Sequence, residues 1–251
     1  MKRYIYLNNS IVPEEKATVS VFDRGLNYGH GVFETIKAID GKAVYLKEHL
    51  DRLKKGALAI GIKRHGLQNL YNAIKGNMLQ RLLKANGLET GQSYIRITVT
   101  TGKDYGTHLL SKDSRATIIA IAKPLDVKAI SLLRKNGARA ITISGITPAL
   151  AQIKSLNYLP NVLAKMEAER KGVYEGIFIT PDGLVLEGTS TNVFIVSKAV
   201  LKTPLTYVPP LFSSGGISSP PFLRGGKGGL YGGILPGIMR KAVIEAAKKN
   251  G

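Results

Sequence analysis

The sequence predicts an α+β fold built from two domains. Segments with strand-like alternation precede segments with helical period, and this order occurs twice along the chain. A short Lys-Pro-Leu-Asp stretch separates the two occurrences and is typical of a linker. We therefore expect a smaller N-terminal domain at 1–122, an interdomain linker at 123–126 and a larger, strand-rich C-terminal domain at 127–251.

The N-terminal domain is predicted to alternate strands with two helices. Apolar and β-branched runs beside turn residues predict its strands, at 4–7, 11–12, 32–39, 43–46, 93–101 and 116–122. The Asp-Gly-Lys stretch at 40–42 is a hairpin signal between the third and fourth of these strands. Helical period predicts amphipathic helices at 46–60 and 66–87.

The C-terminal domain is predicted to begin with a strand at 138–144 and to end with a helix within 234–251. Pro160 suits the first turn of an intervening helix that ends at Gly172. This helix carries an apolar stripe of Leu159, Val162, Leu163 and Met166. A β-meander should follow it, at 176–180, 184–188 and 192–196.

One segment, 208–233, does not fit either pattern. It is dense in Pro, Gly and Ser and has no hydrophobic period. Long segments of this composition are usually functional loops or disordered, and here we expect a disordered insertion.

Composition excludes several classes of protein. The 251 residues include no cysteine, which rules out disulfides, thiolate metal sites and a cysteine nucleophile. His30, His49 and His65 lack metal-ligand spacing, so no metal is expected. No apolar run has transmembrane length and no leader is evident, so we expect a soluble, cytoplasmic protein without a membrane partner.

The chain is strongly basic, with 36 Lys and Arg against 17 Asp and Glu and a formal net charge of +19. Such a charge can indicate a polyanion partner. The basic residues are spread along the chain, however, and no nucleic-acid-binding motif is present. We therefore interpret the charge as a solvated basic surface and do not expect a nucleic-acid partner.

Lys154 is the residue whose position most suggests chemistry. It lies between an almost uncharged stretch and the helix that starts near Pro160. A lysine buried in an apolar cleft loses its charge easily, and its free amine can attack a carbonyl. The carbonyl could belong to a substrate or to pyridoxal phosphate.

Pyridoxal phosphate would also need an acid, phosphate donors and a hydroxyl. Glu187 supplies an acid at the end of a strand, and Arg52 lies on the first long helix. The helix start at 235–239 would offer backbone N–H groups to an anion, and Tyr158 supplies a hydroxyl four residues after Lys154.

Taken singly, each of these residues has a plain structural explanation. Lys154 alone would be a surface lysine, and Glu187 alone a strand-end acid. Arg52 alone would be an exposed helix residue paired with Glu48 at i, i+4. Only their combination favours a cofactor site.

The combination of motifs resembles the fold-type IV aminotransferases, the pyridoxal-phosphate family of branched-chain aminotransferases, D-amino-acid aminotransferases and aminodeoxychorismate lyases. The stretches that carry the resemblance span 1–207 and 234–251 in order: DRGLNYGHGVFETI, HLDRL, YIRITVT, IKSLNYLPNVLAK, EGTSTNVFIV and LPGIMR. The resemblance implies a two-domain α+β fold with the cofactor between the domains. It also implies a homodimer.

The resemblance assigns roles to residues of this sequence. Lys154 matches the family's Schiff-base lysine and Glu187 the acid that keeps the pyridine nitrogen protonated. Arg52 matches the phosphate-binding arginine and Tyr158 the residue near the ring oxygen. The remaining matches are the phosphate-cradling backbone N–H groups of Ile238 and Met239, and the substrate-lining side chains of Tyr28, Phe33, Tyr94 and Arg96.

The function implied is transfer of an amino group from an amino acid to a 2-keto acid, as in amino-acid biosynthesis, with a branched-chain-like L-amino acid favoured as donor. Three alternatives stay open: an aminodeoxychorismate lyase of 4-aminobenzoate and folate synthesis, a D-amino-acid aminotransferase, and an inactive truncated homologue.

This sequence departs from the family at its C-terminal end. Met239 stands where the family commonly has threonine, and the insertion at 208–233 immediately precedes that turn. The family also continues past the last helix. We therefore expect the second domain to be C-terminally incomplete.

Overall fold

The computed structural model describes residues 2–106, 108–111, 114–146, 150–204 and 234–250. The insertion predicted at 208–233 lies outside the described residues. The chain divides into two compact units. Unit 1 is Met1–Ser131 with Lys154–Leu156, and unit 2 is Leu132–Ile153 with Asn157–Gly251. The expected mixture of helices and sheets is confirmed.

Unit 1 contains a six-stranded antiparallel sheet in the order β2-β1-β6-β5-β3-β4. Its strands are β1 (Tyr4–Leu7), β2 (Ser10–Pro13), β3 (Gly31–Ile39), β4 (Lys42–Ala43), β5 (Gln92–Thr100) and β6 (Thr117–Pro124). β3 and β5 pair along their whole lengths, from Gly31 opposite Thr100 to Ile39 opposite Gln92. This long register sets which side chains of the two strands share a face.

Unit 1 also contains helices, two of which pack on this sheet. The helices are α1 (Arg24–Tyr28), α2 (Leu46–Ala59), α3 (Arg64–Lys75) and α4 (Met78–Ala85). α2 packs on β3, and α4 packs on β1 and β6. Alternate residues of β5, Ile95, Ile97 and Val99, are fully buried, as the period-2 pattern predicts.

The structure corrects two predicted elements of unit 1. The single helix at 66–87 is two helices, because Asn77 has a left-handed φ of 57° and ends the helical path between α3 and α4. The strand at 43–46 stops at Ala43, because Tyr45 has a φ of 52° and is the N-cap of α2. The short α1 was not predicted; the Asp23 side chain accepts a hydrogen bond from Gly25 N and caps it.

The boundary between the units differs from the linker predicted at 123–126. Lys123 and Pro124 are still paired with Tyr94 and Ser93 at the end of β6. An unpredicted helix, α5 (Val127–Asn136), follows directly, and the contacts divide the chain within it, after Ser131.

Unit 2 contains a three-stranded sheet in the order β7-β8-β9. β7 (Ala140–Ile143) is parallel to β8 (Glu175–Ile179), α6 (Leu159–Arg170) connects them, and β9 (Val185–Gly188) is antiparallel to β8. Ile143, Ala164 and Phe178 form its core. The last described helix is α7 (Ile238–Asn250).

The predicted three-stranded meander is wrong in its last strand. β10 (Ile195–Ser197) pairs with β11 (Val200–Lys202) instead of with β9. Lys198 and Ala199 both have positive φ, which makes a tight turn between β10 and β11 and closes a separate hairpin.

The apolar stripe predicted on α6 is exposed in this chain, with Leu159 64% and Met166 58% accessible. The buried face of α6 instead carries Asn161, Ala164 and Ala168. Small side chains occupy this face because the helix lies close to β8. A Cβ on Gly176 would be 3.1 Å from the Ala164 carbonyl oxygen.

Candidate active site

The segment 154–156 joins the outer edge of the unit 1 sheet. Phe33 N donates to the Lys154 carbonyl at 2.8 Å, and Leu156 N donates to the Gly31 carbonyl at 2.9 Å. An antiparallel bridge between Val32 and Ser155 lies between these bonds. Backbone pairing therefore fixes Lys154 beside the start of β3, a strand more than 100 residues earlier in the chain.

Two cationic side chains lie close to the ring of Phe33. The Lys154 Nζ lies 4.6 Å from the centre of the Phe33 ring, and the Arg96 guanidinium carbon lies 3.7 Å from it. Phe33 is 3% exposed. Cations near an aromatic ring are attracted by its electron-rich face. The structure thus brings together three of the residues predicted from the sequence.

Tyr94 shares this side of the sheet but has other neighbours. It lies two residues from Arg96 on β5, so both side chains leave the same face. Its ring lies 5.2 Å from Lys123 Nζ. We call the face that carries Phe33, Tyr94 and Arg96 the Phe33 face.

Tyr28 lies on α1 and is 48% exposed. Its ring contacts the Arg24 guanidinium, at 4.7 Å, and the His108 ring, at 6.1 Å. Tyr28 therefore lies beside Arg24 and His108.

Arg52 is held by an acid that the sequence analysis missed. Its Nε donates to Glu34 Oε1 and its Nη2 donates to Glu34 Oε2, both at 2.7 Å. His49 Nδ1 lies 2.7 Å from the same Oε2. The pairing of Arg52 with Glu48 considered from the sequence is therefore wrong. The glutamate within the otherwise apolar strand Val-Phe-Glu-Thr-Ile could have indicated a buried acid that needs a cationic partner.

Glu34 is fully buried and ionised. Burial raises the pKa of this carboxyl, but the hydrogen bonds and charges of Arg52 and His49 outweigh burial and lower the pKa from its ordinary value of 4.5. Because a carboxylate can only accept hydrogen bonds, His49 Nδ1 carries the proton.

In unit 2, Glu187 is the next-to-last residue of β9 and is 8% exposed. Its Oε2 accepts hydrogen bonds from Asn192 Nδ2 at 3.3 Å and from Leu235 N at 3.0 Å. The buried carboxylate therefore ties the turn after β9 to the residues that precede α7.

Tyr158 and Asn161 converge on the same turn. The Tyr158 hydroxyl and Asn161 Nδ2 both donate to the Thr189 carbonyl, at 3.1 and 2.8 Å. Thr189 in turn donates its N–H and its hydroxyl to the buried Glu175, which also accepts from the Thr191 hydroxyl at 3.0 Å. Glu175 and Thr189 were not singled out from the sequence, since a polar turn after a strand is common.

Ile238 and Met239 are the first two residues of α7, and Lys241 N donates to the Gly237 carbonyl to close its first turn. The first N–H groups of a helix have no partner within the helix and favour an anion. The Met239 side chain is 59% exposed. A Cβ at Gly237 would displace the Asn192 side-chain oxygen, so the glycine lets this side chain lie against the start of α7.

The residue types available fit pyridoxal phosphate. Within unit 1 these are the Lys154 amine and the Arg52 guanidinium. Within unit 2, taken by itself, they are the Glu187 carboxyl group, the Tyr158 hydroxyl and the start of α7. Asn161 Oδ1 is buried and has no hydrogen-bond partner among the described residues, which leaves one more polar atom beside Tyr158.

Two other kinds of site find no support in the part of the chain that the structure describes. It contains no group of three or more His, Asp or Glu side chains arranged to hold a metal ion. It also contains no helix with the length and hydropathy needed to cross a bilayer.

The fold and the residue types that fit pyridoxal phosphate define an enzyme of the pyridoxal-phosphate-dependent aminotransferase class. The profile of the amino-transferase class IV family matches residues 31–251, and the chain belongs to this family. The resemblance found in the motifs is thereby confirmed.

Individual relatives differ in what they do. A Methanocaldococcus jannaschii protein inferred to be a branched-chain-amino-acid aminotransferase is 40% identical over 255 residues, covering 98% of this chain and 75% of its own length. The aminodeoxychorismate lyase of Bacillus subtilis is 30% identical over 251 residues, covering 98% and 74%. The crystal structure of a Thermoproteus uzoniensis branched-chain aminotransferase with norvaline has a TM-score of 0.76 at 28% identity, covering 100% of this chain and 76% of the other.

Proposed function

We propose that this chain is an aminotransferase that moves an amino group from a branched-chain-like L-amino acid to a 2-keto acid, with Lys154 as its catalytic residue. The observation that carries the proposal is the Lys154 amine against the Phe33 ring, on an edge of the sheet whose Phe33 face also carries Arg96. The 40% identity to the M. jannaschii protein supports the choice of substrate.

Five features of this chain would hold the cofactor. Lys154 would hold it through its amine, and Glu187 would face the pyridine nitrogen with its buried carboxyl group. Arg52 and the N–H groups of Ile238 and Met239 would bind its phosphate, and the Tyr158 hydroxyl would lie near its ring oxygen. When bound, pyridoxal phosphate supplies an aldehyde that takes up the amino group and a protonated ring that withdraws electrons from the substrate Cα.

Lys154 then acts as a general base and acid. Its amine would take the proton from the substrate Cα. In the return reaction, the same lysine would give a proton to the Cα of the 2-keto acid that accepts the amino group.

Phe33 and Arg96 suit an apolar amino acid. The Phe33 ring offers an apolar surface, and the Arg96 guanidinium offers a positive charge for a carboxylate. We propose that Tyr94 and Tyr28 complete the substrate contacts. Following the family resemblance, we also propose a homodimer that works in the cytoplasm.

The proposal is tested by the absorbance of the purified chain with added pyridoxal phosphate. We expect a band near the visible edge that is bleached by L-valine and is absent in Lys154→Ala. Lys123→Ala, a lysine on the same sheet, should keep the band. A chain that never develops the band would be an inactive homologue and would contradict the proposal.

Turnover then separates the related activities. We expect L-valine consumption that requires a 2-keto acid such as 2-oxoglutarate. Bleaching by D-alanine alone would assign the chain to the D-amino-acid enzymes. Release of pyruvate from aminodeoxychorismate without any keto acid would assign it to the lyases, and either result would overturn the proposed substrate.

A further inference from the structure

The cluster of Glu34, His49 and Arg52 has a construction that a simple phosphate-binding arginine does not need. Glu34 is fully buried in β3, and the Arg52 side chain is only 14% exposed. Two parallel hydrogen bonds of 2.7 Å join the Arg52 guanidinium to the two oxygens of Glu34. His49 lies one helical turn before Arg52 on α2 and bonds the same carboxylate from the same side.

This geometry fixes the direction of the guanidinium. A planar guanidinium held by two parallel bonds cannot rotate about its last torsions without breaking both of them. The Nε and Nη2 edge faces Glu34, so the orientation of the opposite Nη1 edge is set by the strand that carries the carboxylate. His49 in turn stops the carboxylate from rotating.

We propose that Glu34 is a positioning residue for phosphate binding: through Arg52 it sets the direction in which the guanidinium meets the cofactor phosphate, and His49 holds Glu34 in place. The inference rests on the proposed function, in which Arg52 binds that phosphate.

A role of Glu34 through its charge alone predicts the opposite effect on phosphate binding from a positioning role. Glu34 is negative and is bonded to Arg52, so its field weakens the attraction of Arg52 for a phosphate dianion. Removing the charge should therefore tighten phosphate binding if Glu34 acts only as a charge. Removing it should loosen phosphate binding if Glu34 acts by positioning. The sign of the change distinguishes the two.

The experiment compares pyridoxal phosphate with pyridoxal, which has the same ring and aldehyde but no phosphate. The purified chain, freed of cofactor, is titrated with each compound. The dissociation constant of pyridoxal divided by that of pyridoxal phosphate is taken as the contribution of the phosphate, so a smaller ratio means that the phosphate contributes less to binding. In Glu34→Gln we expect this ratio to fall by about tenfold or more while the dissociation constant of pyridoxal stays within about twofold of the wild type.

Two further variants fix the interpretation. Asp23→Asn removes another buried carboxylate of unit 1, one that accepts hydrogen bonds from the Thr100 and Thr117 hydroxyls. It should lower stability and leave the ratio unchanged. Arg52→Ala tests the proposed function itself, because it should abolish most of the advantage of the phosphate.

The outcomes separate the two proposals. If Arg52→Ala leaves the ratio unchanged, the phosphate role of Arg52 in the proposed function fails. If Arg52→Ala lowers the ratio but Glu34→Gln raises it, leaves it alone, or weakens both compounds equally, the positioning role of Glu34 is overturned. Should Glu34→Gln not fold, His49→Gln is measured instead, and its ratio must fall by about threefold.

Discussion

Glu34 shows at the scale of one residue how a buried charge contributes to this fold. Its carboxylate bonds both an arginine and a histidine of α2, so it fastens the helix to β3. A buried ion pair contributes little compared with an apolar replacement, but removing one partner leaves the other charge uncompensated. The carboxylate therefore matters to stability only in its ionised form.

The stability of unit 1 should depend on pH through Glu34. The pKa of Glu34 is lowered in the folded chain, so its contribution is complete above its ordinary value of 4.5 and is lost as the pH falls through the lower folded pKa. At pH 7, Glu34→Gln should reduce the free energy of unfolding by about 3–5 kcal/mol. Chemical denaturation at pH 7 and pH 3 should show this difference shrinking; an equal difference at both pH values would contradict it.

Thr189 is the residue that links Tyr158 to Glu175. Its carbonyl accepts the Tyr158 hydroxyl, and its own hydroxyl donates to the buried Glu175. Thr189→Val keeps the shape but removes one of the three hydrogen bonds that Glu175 Oε1 accepts, leaving those from the N–H groups of Gly176 and Thr189. We expect a loss of about 1–3 kcal/mol in the free energy of unfolding.

The control for Thr189→Val is Thr142→Val. Thr142 lies on β7 of the same unit, and its side chain is exposed. Denaturant unfolding should show a change within about 0.5 kcal/mol for this variant. Equal losses in the two variants would mean that the hydroxyl of Thr189 has no special role.

At the scale of elements, α6 shows why an apolar stripe did not predict the buried face. Leu159, Val162, Leu163 and Met166 have the spacing of a core-facing stripe, yet all four are exposed in this chain. The face against the sheet carries alanines, because β8 presents Gly176 and the two backbones come close together. Hydrophobic period shows that a side is apolar, whereas close packing selects the side with small residues.

This packing gives a test with an internal control on one helix. Ala164 is fully buried, and Leu163 beside it is 44% exposed. Ala164→Leu should destabilise the chain by about 1–3 kcal/mol, because a tightly packed contact does not admit three more carbon atoms. Leu163→Ala should change the free energy of unfolding much less. Thermal or urea unfolding of both variants measures the difference, and the reverse order would show that α6 packs on its apolar stripe.

At the scale of the whole molecule, the net charge of +19 should act on stability. Charges of one sign spread over a folded surface repel one another, and an unfolded chain keeps them further apart. Salt screens this repulsion, with a Debye length that falls from about 30 Å at 0.01 M to about 10 Å at 0.1 M. We expect the melting temperature to rise between these two sodium chloride concentrations. A melting temperature that falls would mean that attractive ion pairs dominate.

The sequence by itself determined the family, the mixed fold and the identity of the residues proposed to carry the chemistry. Motifs such as HLDRL and IKSLNYLPNVLAK retain this information because a cofactor site needs particular side chains at particular points of the chain. Local pattern also located β3, β5 and α2 to within a residue or two, since alternation and helical period are properties of short segments.

Only the tertiary structure decided which of these residues meet. Lys154 reaches Phe33 through backbone bonds between segments more than 100 residues apart, and Arg52 meets Glu34 across a helix and a strand instead of meeting Glu48 on its own helix. The break at Asn77 and the closed hairpin of β10 and β11 likewise depend on single residues with left-handed backbone angles. The physical reason is that period and composition describe neighbours along the chain, whereas burial, ion pairing and sheet register are decided by neighbours in space.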